Sequence, residues 1–290
     1  MRNTTPTTLD QRTNIRALVE LNDSDIAAKV PAVFATSPDG SVSKRYTFMS
    51  TADVLPILRS NGFVPTSVTT RKKGTVHSQH RLELFRKDDL KALAAGKAAD
   101  CPRIILENSH DRTRRLVFMA GYYRLVCSNG MVVPSGMHAE LKHLHIKLDT
   151  AGVKVMMDGV TKMLDGAAQQ VSLFKGKKLN KIEQATLANY AVEVRYRGYN
   201  KNKLEAKELL TVRRDSDKGD DLWTVFNRIQ ENVMVGGVPM ITGRKSKGVT
   251  SYSIGMDVNK RLWAGAEALA TGGIKRLQAM RKAMVRGNQD

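Results

Sequence analysis

The sequence predicts an α+β fold, with an antiparallel sheet and packing helices in the first half and a helical second half. Three observations predict it. Runs rich in Val, Thr, Tyr, Phe and Leu, broken by Gly, Pro, Asn and Asp, crowd before residue 150. Beyond that point the apolar residues recur at intervals of three and four instead of two. Strands that precede helices, rather than alternate with them, point to α+β and away from a parallel α/β sheet.

Strands are predicted at 42–49, 64–70, 76–86, 103–108 and 115–127. Val76, Ser78, His80, Leu82 and Leu84 alternate with His77, Gln79, Arg81, Glu83 and Phe85, as in a strand with one wet, cationic face. Asn129-Gly130 suits a tight hairpin turn, whose two central residues need positive φ. One helix interrupts these strands. Ser50 can cap it, Asp53 stands at the reciprocal capping-box position, and Val54, Leu55 and Leu58 form an apolar face that ends at Gly62. A second, short helix is expected at 88–99.

In the second half Val153, Met156, Met157, Val160, Met163, Leu164, Ala167, Ala168, Val171 and Phe174 make one stripe along a long helix, a pattern that reads as core packing. Leu222, Val225, Phe226, Ile229 and Val233 repeat it over 220–234. Asp220 or Asp221 favours that helix's N-terminus, and Trp223, beside the stripe, is expected to be buried. A last helix over 262–284 should break near Gly272-Gly273. The organisation expected is a polar N-terminal arm over 1–30 and a single α+β domain over 31–290, β-rich over 31–150 and helix-rich over 151–290.

The 41% hydrophobic content of 290 residues suffices for a sizeable core. No run approaches the roughly 18–20 apolar residues of a bilayer span, and the polar start lacks a signal-peptide stretch, so no membrane partner and a cytoplasmic setting are expected. Two cysteines, Cys101 and Cys127, are too few for a disulfide framework and read as small buried hydrophobes. The 47 Lys and Arg against 28 Asp and Glu give a formal charge of +19. Phosphate polymers are the commonest counterpart of such an excess, because each cationic contact releases condensed counterions. The blander reading is a basic solubility surface.

The cations cluster. Arg71, Lys72 and Lys73 lead to Arg81, and Arg112, Arg114 and Arg115 precede the strand that carries Tyr122, Tyr123 and Arg124. Lys177 and Lys178 stand between two helices, where they also complement a helix C-terminus. Arg195, Arg197, Lys201 and Lys203 interleave with Tyr196 and Tyr199, a mixture that grips a backbone and stacks bases. Arg244, Lys245 and Lys247 lie in what reads as a flexible Gly- and Ser-containing loop. All are candidate nucleic-acid contacts, and the Arg112 and Arg195 groups are expected to share one path.

Catalytic signals are weaker. Asn108-Ser109-His110-Asp111, beside three arginines, offers His110 and Asp111 as ligands of a metal-dependent nuclease using magnesium or zinc; otherwise it is a turn whose Asn and Asp cap backbone groups. His138, His143 and His145 crowd without a Cys or Glu at recognised spacing. No phosphate-binding loop, nucleophile elbow or dinucleotide fingerprint occurs, so no nucleotide cofactor is expected.

The strings at 42–48, 61–65, 108–111, 121–130 and 221–223, with Phe226-Asn227 and Gln230-Glu231-Asn232, resemble the phage- and plasmid-borne family called domain of unknown function 932. The string Arg124 to Gly130 is the most specific, and the likeness covers about 31–263. One departure is Arg112, where the family often has Gly. The resemblance implies a mobile-element origin and a bacterial cytoplasmic setting, and it carries over no catalytic residue. The function expected is DNA binding, preferentially of single strands, with annealing in recombination or replication as a homo-oligomer. The alternatives are the nuclease and a protein-binding module that disables a host defence factor.

Overall fold

Five antiparallel strands in sequence order form the sheet of the first half: β1 (Phe63–Thr70), β2 (His80–Arg86), β3 (Asp100–Asn108), β4 (Leu116–Arg124) and β5 (Glu140–His143). The helices are α1 (Asp23–Lys29), α2 (Thr51–Ser60), α3 (Lys87–Ala94), α4 (Thr150–Gly176), α5 (Lys181–Arg195), α6 (Leu222–Val235) and α7 (Tyr252–Arg286). Between α6 and α7 lies a hairpin of β6 (Gly236–Pro239) and β7 (Lys245–Lys247). This computed structural model describes residues 19–70, 75–124, 140–143, 149–196 and 204–286. The α+β fold is as the sequence predicts. The chain falls into two compact units, 1–128 with 135–165, and 129–134 with 166–290.

In the first unit the strand pleat sorts the side chains. Leu82 lies opposite Leu106, Leu84 opposite Ile104, and Leu106 opposite Phe118, so these share one face. That face joins Ile26 of α1, Val54, Leu55 and Leu58 of α2, and Val153 to Leu164 of α4 in one buried cluster. Each such side chain contributes about 1.5–3 kcal/mol through burial. On the opposite face Phe85, Cys101 and Tyr123 meet Leu90 and Leu93 of α3. Burial there pushes the Cys101 thiol pKa far up.

Three expectations need correction. Residues 42–49 are not a strand: turns closed by Val42 N to Asp39 O and Tyr46 N to Ser43 O break up their first half, and they join no ladder. Ser50 does not build a capping box, because its hydroxyl donates instead to the Val33 carbonyl at 3.4 Å. Within the expected arm, residues 23–29 are helical. There Asn22 and Asp25 form a capping box and Ile26 is wholly buried, while residues 1–18 and the Asn129-Gly130 turn lie outside the described residues.

The second unit packs around four aromatic rings. Phe174, Trp223 and Phe226 surround Trp263 at centroid distances of 5.3, 6.1 and 5.7 Å, and Trp263 Nε1 donates to Gln170 at 2.8 Å. Trp223 is buried, as its stripe predicts. Gly265 lets α5 approach α7, since a Cβ there would lie 2.3 Å from the Tyr190 ring. The Asp221 side chain caps α6 by accepting from Thr224 N. Gly273, with φ of 64°, breaks α7 where the sequence predicts.

Candidate nucleic-acid interface

α6 ends at Gly236, whose φ of 72° turns the chain into β6. Only glycine fits, because a Cβ would lie 2.6–2.7 Å from backbone atoms of Ser246, Lys247 and Gly248. Met240 N donates to Arg244 O at 2.8 Å, and Gly243 N to Met240 O at 3.0 Å, closing the three-residue loop Ile241-Thr242-Gly243. Gly243, with φ of 75°, takes the left-handed position such a loop needs. The expected flexible loop is therefore a hairpin, its glycines fixed by geometry. Val238 and Ser246 turn inward and are buried, whereas Lys245 and Lys247 turn outward and are exposed.

The hairpin walls a cleft of about 1160 Å³. Arg244, Lys245 and Lys247 come from the hairpin, Val194, Arg195 and Tyr196 from the end of α5, and Ser253, Ile254, Asp257 and Val258 from the start of α7. The Arg195 guanidinium sits 5.0 Å from the Tyr196 ring centroid and donates to the Lys247 carbonyl at 3.3 Å, tying α5 to the hairpin. Asp257 is held at 3.0 Å by Arg261 Nε, so its charge is already matched. Four cations thus face a cleft whose lining also includes the apolar Val194, Met240, Ile254 and Val258 beside Thr242 and Ser253, an arrangement that concentrates positive potential.

The remaining predicted contacts in this unit have other partners. Lys177 pairs with Glu183 at 3.7 Å, and Lys178 with Asp220 at 2.6 Å; the latter hydrogen bond raises the Lys178 pKa. The backbones of Lys177 and Leu179 bond to those of Leu222 and Asp220, so these lysines flank a chain junction and are absent from the cleft lining. Arg197, Tyr199, Lys201 and Lys203 lie outside the described residues.

In the first unit four of the predicted contacts are buried or half-buried. Arg81 pairs with Glu83 at 3.1 Å, and Arg103, only 3% exposed, donates to the same carboxylate at 2.5 Å. The face expected to be wet is thus half-buried, with Phe85 alone on it fully buried, and its Arg81 and Glu83 charges are paired. Arg114 pairs with the buried Glu107 at 2.5 Å. Tyr122 and Arg124 are 6% and 8% exposed, so neither forms a stacking platform, and burial raises the Tyr122 phenol pKa. Arg112 and Arg115 are exposed, while Arg71, Lys72 and Lys73 lie outside the described residues.

A family model described as "Domain of unknown function (DUF932)" matches residues 38–263, a span that takes in the whole cleft. The chain belongs to the DUF932 family. Relatives from Escherichia coli (strain K12) are "UPF0380 protein YafZ", 32% identical, and "UPF0380 protein YfjQ", 30% identical; each match covers 87% of this chain and 92% of the relative. No solved structure matches. Within the DUF932 region the Gln230-Glu231-Asn232 string is structural. Gln230 donates to Asn259 at 2.9 Å, Glu231 pairs with Arg214, and Asn232 accepts from Arg213 while donating to the Leu209 and Thr211 carbonyls.

The DUF932 string Asn108 to Asp111 is likewise occupied in holding the chain. Asn108 Nδ2 donates to the Thr51 hydroxyl at 3.0 Å, which lies 2.7 Å from His80 Nε2. The His80 Nδ1 contact with the Ser78 carbonyl, 3.0 Å, puts the proton on Nδ1, and burial pulls the ring's pKa down to about 4. His110 is wholly buried, 3.1 Å from the Ala32 carbonyl, with its ring against Phe48 and His80. Asp111 Oδ1 accepts from the Thr113 amide and hydroxyl, which closes the turn; burial works to raise the carboxyl pKa, and these hydrogen bonds outweigh it and hold the pKa low. Arg112 occupies that turn at φ 65°, a left-handed conformation that costs a side chain energy and glycine none.

This geometry suits a scaffold, with His110 sealed from any ligand approaching through solvent. Among the described residues no group of three His, Cys, Asp or Glu could hold a metal. His138 and His145 lie outside them, and of His143 the backbone alone is described, on β5. No helix among the described residues is long and apolar enough to cross a membrane. Sequence reasoning missed Met240, Ile254 and the Asp257–Arg261 pair. The signal was present in Gly-Gly-Val-Pro and Gly-Arg-Lys-Ser-Lys, whose alternation spans strands of four and three residues.

Proposed function

We propose that this DUF932 chain binds single-stranded DNA along the cleft between the β6–β7 hairpin, the end of α5 and the start of α7. It would serve recombination or replication of a phage or mobile element in the bacterial cytoplasm, where holding strands favours their annealing. The carrying observation is the convergence of Arg195, Arg244, Lys245 and Lys247 with Tyr196 on one apolar-walled cleft. Cations neutralise phosphates, and Tyr196 with the apolar walls receives base faces. A duplex hides those faces, so the mixture favours a single strand. The volume, about 1160 Å³, also exceeds the roughly 300–1,000 Å³ of small-molecule sites.

Fluorescence anisotropy of a labelled oligothymidylate across a salt series tests the reading. The logarithm of the affinity should fall linearly with the logarithm of salt concentration, and Arg244→Ala and Lys247→Ala should each flatten that slope by about one unit. Absence of binding, or variants that keep the parent affinity and slope, would overturn it and leave the protein-binding alternative ahead.

A further inference from the structure

The hairpin carries a feature that phosphate contact does not explain. Ile241 stands at its apex, the first central residue of the closing turn, and is 63% exposed. Turn positions ordinarily hold Asn, Asp, Gly or Pro, so a branched apolar residue there is out of place for solvent. Below it Arg244, Lys245 and Lys247 are exposed, and the segment 236–248 contains no acidic residue.

The base of the hairpin is held rigidly. Gly236 and Gly248 let backbones approach closer than any Cβ permits, Arg213 donates to the Gly236 carbonyl, and Arg195 donates to the Lys247 carbonyl. The apex is therefore presented on a fixed, basic stem. Its neighbours Met240 and Thr242 line the cleft, so the apex borders it.

We infer that the β6–β7 hairpin is a wedge that enters a base step where single-stranded DNA meets duplex, with Ile241 as the inserted side chain. The inference rests on the single-strand reading above and deepens it. Apolar side chains on basic ribbons enter base steps because flanking phosphates neutralise the stem while the step accepts the hydrocarbon. A junction is the favoured place, since its terminal pair has lost one stacking neighbour and opens most readily. An apolar pocket on a protein would accept Ile241 equally well, but would not need a stem of unrelieved positive charge.

The test uses the full chain and a forked duplex with 2-aminopurine in the pair next to the fork. Binding should raise 2-aminopurine fluorescence as the base unstacks, and the fork should bind about tenfold tighter than a single strand of equal length. Ile241→Ser should abolish the rise and the preference while single-strand affinity stays within about twofold of the parent. Ile241→Met, which keeps an insertable side chain, should retain both. Ile241 is exposed, so folding is unaffected, and unchanged thermal melting verifies it. A fork bound without a fluorescence rise, or a rise of parental size with Ile241→Ser, overturns the wedge while single-strand binding leaves the cleft reading intact. Failure to bind either DNA overturns both.

Discussion

The cations of the β2–β4 sheet and those of the β6–β7 hairpin look alike in the sequence and differ in the folded chain. Arg81 and Arg103 converge on Glu83, and Arg114 on Glu107, so these charges are spent within the sheet. Arg244, Lys245 and Lys247 are exposed, and the nearby carboxylate of Asp257 is taken by Arg261. A count of basic residues therefore does not measure what is available to a phosphate. The carboxylates within reach, Glu83 and Glu107, decide it.

The largest effect that can break this comparison is on stability. Glu83→Ala leaves Arg103 buried without its counter-charge and should cost about 3–5 kcal/mol in urea unfolding. Lys245→Ala should stay within about 0.5 kcal/mol. Equal costs would erase the distinction between the two regions.

The next effect is on pH dependence. Folding depresses the His80 pKa to about 4 from an ordinary value near 6.5, so the unfolded chain takes up the proton first as pH falls. Stability is then full above pH of about 6.5 and lost progressively toward pH of about 4, by an amount on the order of 3 kcal/mol. His80→Gln should flatten the profile in that window, as unfolding midpoints at successive pH values will show. A profile that keeps its slope would assign the acid sensitivity to the carboxylate pairs instead.

Arg114→Ala sharpens the contrast on the binding side. It should leave the salt slope for single-stranded DNA unchanged while lowering stability, the reverse of Arg244→Ala. The smallest effect is at the β3–β4 turn, where Arg112→Gly removes a left-handed side-chain penalty and should raise stability by about 0.5–1 kcal/mol.

Much of the fold was legible because its signals are long. The stripe from Val153 to Phe174 spans most of α4, and the alternation at His80, Leu82 and Leu84 marks one face of β2. The residues 42–49 misled because a β-rich composition says nothing of ladder partners, and Tyr46 and Phe48 are engaged with Ser109 and His110 instead. Helix α1 was overlooked inside a polar segment, although Asn22 and Asp25 carry a capping signature. Of the cleft, the cations were legible and the enclosure was not. Its strands are too short for periodicity, and its apolar walls come from α5 and α7, far apart in the chain.

Cys101 gives the β-rich unit a clock. Its thiol is buried between Phe85, Leu93 and Tyr123, where the reactive thiolate scarcely forms. With Cys127 replaced by serine, an aromatic disulfide reagent reacts only when β3 and α3 part. The reaction rate then counts opening events directly, in native buffer and without denaturant.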